Sequence, residues 1–198
     1  MKKQRRKKPR PQFVEPPQPP LDQFELLFEP PLFGCLHFTL RLPTGDWEIR
    51  PSNLDDPFER MLFWLEEIVG GADTARWLIS EEGSLTQLIF AREAKPSIDS
   101  VTAHLILLRS NERGDTHHLS NCAVTPIGMA AKIYRAFRSY VDSDAYLPEE
   151  WELIGDPEDW PWRGLPLRQM RSLAVEAALN RVEPTQLSFQ VTFRPGRP

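Results

Sequence analysis

DPFERMLFWLEEIVGGADTARWLISEEGSLTQLIFAR, residues 56–92, carries the two periodicities that decide the fold. In its first half Phe58, Met61, Leu62, Leu65, Ile68 and Val69 recur at helical spacing and mark one buried stripe. Asp56 offers an N-cap oxygen, Pro57 suits the first helical position, and Glu59 completes a capping-box pattern. Gly70 and Gly71 stop the helix, so the pattern predicts one helix over 56–69. The second half changes period. Ala75, Trp77 and Ile79 alternate with polar neighbours, Glu81-Glu82-Gly83-Ser84 reads as a turn, and 85–92 resumes as a strand. A helix that hands over directly to a hairpin belongs to an α+β architecture rather than to a parallel α/β sheet.

Working outward, Leu36, Phe38, Leu40 and Leu42 alternate with Cys35, His37, Thr39 and Arg41, and Pro43-Thr44-Gly45-Asp46 turns this strand towards Trp47 and Ile49. Downstream, VTAHLILL within 99–109 is apolar on both faces towards its end, which predicts a central strand. A loop at 110–116 leads to a more polar strand at 117–124. Thr125 and Pro126 then open a second helix with Ile127, Ala130, Ala131, Tyr134, Phe137 and Val141 on one side. Pro166 opens a third, with Leu167, Met170, Leu173, Ala174 and Ala177 expected inward. A last strand places Leu187, Phe189, Val191 and Phe193 opposite Gln186, Ser188, Gln190 and Thr192. The fold expected is α+β: a mostly antiparallel sheet of about six strands, with two or three helices packed on one face.

Composition divides the 198-residue chain unevenly. Lys2, Lys3, Arg5, Arg6, Lys7, Lys8 and Arg10 crowd the start, and Pro16-Pro17-Gln18-Pro19-Pro20 follows, so residues 1–31 read as a disordered basic, proline-rich tail and 32–198 as one domain. Phe24, Leu26, Leu27 and Phe28 are expected to make a first short contact with that domain. Beyond the seven basic residues of the tail, 17 basic side chains face 28 acidic ones. A body this acidic repels nucleic acid and suits a basic partner, whereas the tail can hold phosphates. The basic start lacks an apolar signal core, and no apolar run approaches membrane-spanning length; two cysteines make no disulfide framework, and a reduced cytoplasmic setting follows as the expectation.

Chemistry-bearing clusters are sparse. His117-His118 and Cys122 look ligand-like, but on a strand His118 and Cys122 stand about 13 Å apart, too far for one metal. No phosphate-cradling glycine pattern is present, and no cofactor is expected. His37 and His104 lie on the polar faces of two strands, and a histidine pair meeting across a sheet could serve acid–base chemistry in a hydrolase or nuclease. The densest feature is YLPEEWELIGDPEDWPWR, 146–163. Tyr146, Trp151, Trp160 and Trp162 are interleaved there with Glu149, Glu150, Glu152, Asp156, Glu158 and Asp159: aromatic anchors with acids that steer a basic partner.

The stretch PSNLDDPFERMLFWLEEIVGG, Pro51 to Gly71, resembles small uncharacterised bacterial α+β proteins in which a hairpin leads into a helix that opens on Asp-Pro-Phe, and through them the immunity proteins that neutralise polymorphic bacterial toxins. The resemblance spans 33–143, carries no functional residue with it, and does not extend to the basic tail. The acidic body and the lack of a coherent catalytic set point to a non-enzymatic protein-binding module, acting as an immunity or adaptor protein does, whose acidic surface covers a basic partner. Two other readings stand beside it: a nucleic-acid-associated accessory protein tethered by its basic tail, and the His37/His104 hydrolase.

Overall fold

A computed structural model describes residues 21–30, 36–52, 57–93, 102–148 and 167–182. The stretches read as tail residues 1–20, as the Asp56 cap, as the segment 149–166 and as the last strand at 186–193 lie outside them.

The hairpin that follows the first helix is the spine of the molecule. β4 (Thr74–Glu81) and β5 (Ser84–Arg92) pair antiparallel from Thr74↔Ala91 to Glu81↔Ser84. Gly83 closes the turn with a φ of +77°, a left-handed conformation that costs glycine little. β6 (Ala103–Asn111) pairs with β5, and β7 (Thr116–Val124) pairs with β6, giving the order β4-β5-β6-β7. The doubly apolar strand β6 is therefore central, as its sequence predicts. A bulge between Leu107 and Leu108 turns Cys122 and Val124 inward while His118 faces out.

The other strands form a separate antiparallel sheet, β1-β2-β3, made of β1 (Glu25–Phe28), β2 (Phe38–Leu42) and β3 (Gly45–Ile49). The seven described strands thus divide three and four, rather than forming the single sheet that the hairpin pattern suggests. The sheets are bridged by Pro51, which pairs with Glu81, and by Phe38, which stacks on Trp77 at 5.6 Å between ring centroids. β1 falls within the span whose composition reads as tail. Phe24, Leu26 and Phe28 point into the core, and this apolar burial outweighs the surrounding prolines.

Three α-helices accompany the sheets among the described residues. α1 (Pro57–Val69) buries Phe58, Met61, Leu62, Leu65 and Ile68 as its stripe predicts, and Trp64 besides. It lies on β4, where the Trp77 indole donates to the Pro57 carbonyl at 2.8 Å. α2 (Pro126–Val141) starts at Thr125, whose hydroxyl caps the Gly128 N–H at 3.2 Å. Asp22 reinforces this cap by accepting from the Thr125 N–H at 2.8 Å and from its hydroxyl at 2.7 Å, and it leaves no room for a side chain at Gly128. Through these bonds the segment before β1 is strapped to the start of α2.

The third helix departs from its sequence reading. A 3-10 turn at Leu167–Gln169 precedes α3 (Leu173–Val182), so no single helix runs from Pro166. Ser172 caps the new helix by accepting from the Val175 N–H at 3.1 Å, and this restart resets the phase. Leu167 and Met170 are buried as expected, but α3 turns Val175 and Leu179 inward and leaves Leu173, Ala174 and Ala177 exposed.

Candidate protein-binding surface

The expected site residues divide sharply. Tyr146 belongs to the core and is not presented to a partner: it is 1% exposed, meets Tyr140 edge-on at 5.6 Å, and lies under the Arg168 guanidinium. Glu149, Glu150, Trp151, Asp156, Glu158, Asp159, Trp160 and Trp162 lie outside the described residues, as do all seven basic residues of the tail. His37 immediately precedes β2 in the three-stranded sheet, while His104 sits on β6 in the other. The two imidazoles therefore share no sheet face. His104 Nε2 instead approaches Glu93 Oε1 at 3.3 Å, with both side chains 41% exposed. Among the described residues no three His, Cys, Asp or Glu side chains are grouped to hold a metal. Cys122 is buried, and that burial, with the charge of Asp22, pushes its thiol up to about 11.

Four large apolar residues are exposed among the described ones: Leu21 and Leu147 just reach the surface at 36% and 39%, and the two most exposed lie on helices. Phe63 on α1 is 59% exposed and Leu173 on α3 is 79% exposed. α1 aligns Phe63 with Glu59, Arg60, Glu66 and Glu67, because residues three and four apart share a helix face. Leu173 adjoins Ser172, whose hydroxyl donates to Glu66 Oε1 at 2.6 Å. The two side chains thus border one seam between α1 and α3.

This seam is rigidly built. The Ser172 N–H donates to the Tyr134 hydroxyl at 3.3 Å, and that hydroxyl donates to Glu176 Oε1 at 2.6 Å. Burial first, then the bond to Glu176, pushes the Tyr134 hydroxyl up to about 12. Below the seam, the Arg138 guanidinium donates to the Met170 carbonyl at 2.9 Å and to Asp142 Oδ1 at 2.6 Å, which holds the 3-10 turn against the end of α2. The start of α3 is therefore fixed to both other helices. An apolar pair held on a rigid, carboxylate-bearing frame has the chemistry of an interface anchor: apolar burial supplies affinity and the acids supply orientation.

A sequence reading confined to buried stripes passes over Phe63, because it falls off the α1 stripe. The available signal was its position, an aromatic residue four places from both Glu59 and Glu67 on the polar face. Leu173 gave the opposite signal, since the unbroken helix reading turned it inward. No protein-family model, no curated protein and no solved structure matches this chain.

Proposed function

We propose that this protein is a non-enzymatic binding module, acting as an immunity or adaptor protein does, and that its acidic surface covers a basic surface of a partner protein. The observation that carries this reading is the joint exposure of Phe63 and Leu173 beside the Glu66–Ser172 link, on a body with 17 basic and 28 acidic side chains outside its first ten residues. Phe63 and Leu173 enter apolar hollows on the partner, while Glu59 and Glu67 face its cationic groups and speed encounter. In sequence, the run from Trp151 to Trp162 repeats this combination of aromatic and acidic side chains.

Affinity capture with the tagged full chain from the source organism identifies the partner, and titration with the purified partner tests the site. Replacing Phe63 and Leu173 together by Ala should weaken binding at least tenfold, a change of ~1.4 kcal/mol. Raising salt should slow association. Affinity that survives both the Phe63/Leu173 double replacement and a Trp160→Ala/Trp162→Ala double replacement sinks the reading. So does a turnover activity that vanishes when His37 or His104 is replaced. Binding to nucleic acid that disappears with residues 1–10 transfers the function to the basic tail.

A further inference from the structure

We infer that the outer face of the four-stranded sheet docks a second copy of this chain. α1 and the three-stranded sheet pack against the inner face, where Trp77, Leu88, Phe90, Leu105 and Leu107 are fully buried. On the outer face, strand alternation presents Leu78, Leu85, Ile89, Ile106 and Leu108, each only partly buried. Ile89 stands directly opposite Ile106, Leu108 follows Ile106 on the same face, and Leu78 and Leu85 flank Gln87, the partner of Leu108. The five aliphatic side chains therefore form one patch. An antiparallel sheet with a free outer face usually turns polar residues outward on its central strands. Here the central pair β5 and β6 carries four of these five aliphatics.

Charge selects the occupant. No outward position within the four strands carries a carboxylate, although acids predominate in the body as a whole, and Glu93, just past the end of β5, brings an acid to this face only in a pair with His104 at 3.3 Å. Apart from the histidines, Arg76 is the one charged side chain in the outward rows, and Asn121 ends its row on β7. A two-fold axis running along the strands between β5 and β6 sets Ile89 over the partner's Ile106 and Arg76 over the partner's Asn121. Apolar rows then meet apolar rows, and no like charges face each other. The size also fits. Four strands ~4.8 Å apart and about nine residues long, at ~3.3 Å per residue, present roughly 500 Å². Two copies together cover about 1,000 Å², the lower bound for a specific interface. Because α1 lies on the inner side of this sheet and α3 packs on α1, this pairing leaves the Phe63 and Leu173 surface of each copy open. It stands or falls separately from the partner binding proposed above.

Sedimentation equilibrium of the full chain tests the inference. At ~100 μM the mass should be twice the 22.9 kDa of one chain. Ile89→Glu and Ile106→Lys should each reduce it to one chain mass with an unchanged circular dichroism spectrum. Mixing the two variants should restore the dimer, because the two-fold axis sets the introduced carboxylate against the introduced ammonium. A wild-type mass of one chain overturns the inference, whether residues 183–198 or another protein covers the face. A folded variant that stays dimeric, or a mixture that stays monomeric, overturns it as well. Should neither variant fold, the wild-type mass alone decides.

Discussion

Among the described residues arginine ties strands together through carboxylates at the sheet junction and on the rim of the smaller sheet, and the two places differ in burial. At the junction of the sheets, Glu81 is 8% exposed and pairs with Arg109 at 3.3 Å. The same carboxylate accepts from the Thr86 hydroxyl and from the Arg50 N–H, while Arg109 also reaches the Glu48 carbonyl at 2.8 Å. On the rim of the smaller sheet, Arg41 lies between Glu25 at 2.6 Å and Asp46 at 3.1 Å, with all three side chains well exposed. The rim cluster has the shorter ion-pair contacts. The junction cluster should nevertheless matter far more, because solvent screens the rim and its groups regain water when a partner is lost. Removing Glu81 leaves the buried Thr86 hydroxyl without its acceptor and a partly buried guanidinium without its counter-charge.

Breaking the junction gives the largest expected effect. Glu81→Ala should destabilise the fold by about 3 kcal/mol, a drop of roughly 10 °C in unfolding midpoint for a chain this long. Converting Glu81 and Arg109 to Leu and Thr86 to Val together should recover most of the loss, since no buried partner is then stranded. Calorimetry on the three proteins measures both effects. A Glu81→Ala midpoint equal to that of the wild type would mean that the two sheets do not depend on this cluster.

The two tyrosines of α2 sharpen the comparison at intermediate magnitude. Tyr134 and Tyr140 are both buried, and desolvation raises both hydroxyls above the ordinary value. Tyr134 exchanges two hydrogen bonds, with Ser172 and Glu176, whereas among the described residues the Tyr140 hydroxyl finds no partner. Tyr134→Phe should therefore cost about 1–2 kcal/mol and loosen α3, while Tyr140→Phe should be neutral or stabilising by up to ~1 kcal/mol. The pH dependence has a definite sign. A folded value raised above the unfolded one, near 10, favours the neutral form, so this stability is fully present below pH ~10 and is lost as the pH rises. For Tyr134 the loss runs through about 12. Thermal scans taken across that alkaline range should show a falling midpoint, and Tyr140→Phe should make the fall shallower. A midpoint that stays flat to the top of the range contradicts the burial of both hydroxyls.

These contrasts also mark what the sequence could reveal. α1 and the β4–β5 hairpin were legible, because stripe, turn and alternation all lie within a few residues of one another. Strand β6 was legible as central because both its faces are apolar. The division into two sheets was not, since it depends on one bridge, Pro51 to Glu81, and on an Arg109 that reaches β3 across 61 residues. The phase of α3 was hidden by its own cap: Ser172 looks like any polar helix residue until its hydroxyl is seen to bind the Val175 N–H. Of the candidate site, the charge was readable from composition. Which apolar residues accompany it was not, because Leu173 becomes exposed only when the helix restarts.

The smallest effect is the most exacting test of the opening contrast. Arg41→Ala removes a contact to Glu25 and a contact to Asp46 in one step, and with them two cross-strand links, β1 to β2 and β2 to β3. Counted as interactions, it should rival the loss of Glu81. Weighed by environment it should not, because all three side chains are more than a third exposed, and each freed group is met by water. The main-chain ladder and the burial of Phe38, Leu40 and Leu42 on the opposite face of β2 then hold the strand unaided. The unfolding midpoint of Arg41→Ala should match the wild type at physiological salt and fall below it only at low ionic strength, where screening is weak. A loss at physiological salt comparable to that of Glu81→Ala would show that the geometry of the contacts, and not their removal from water, sets the strength of these junctions.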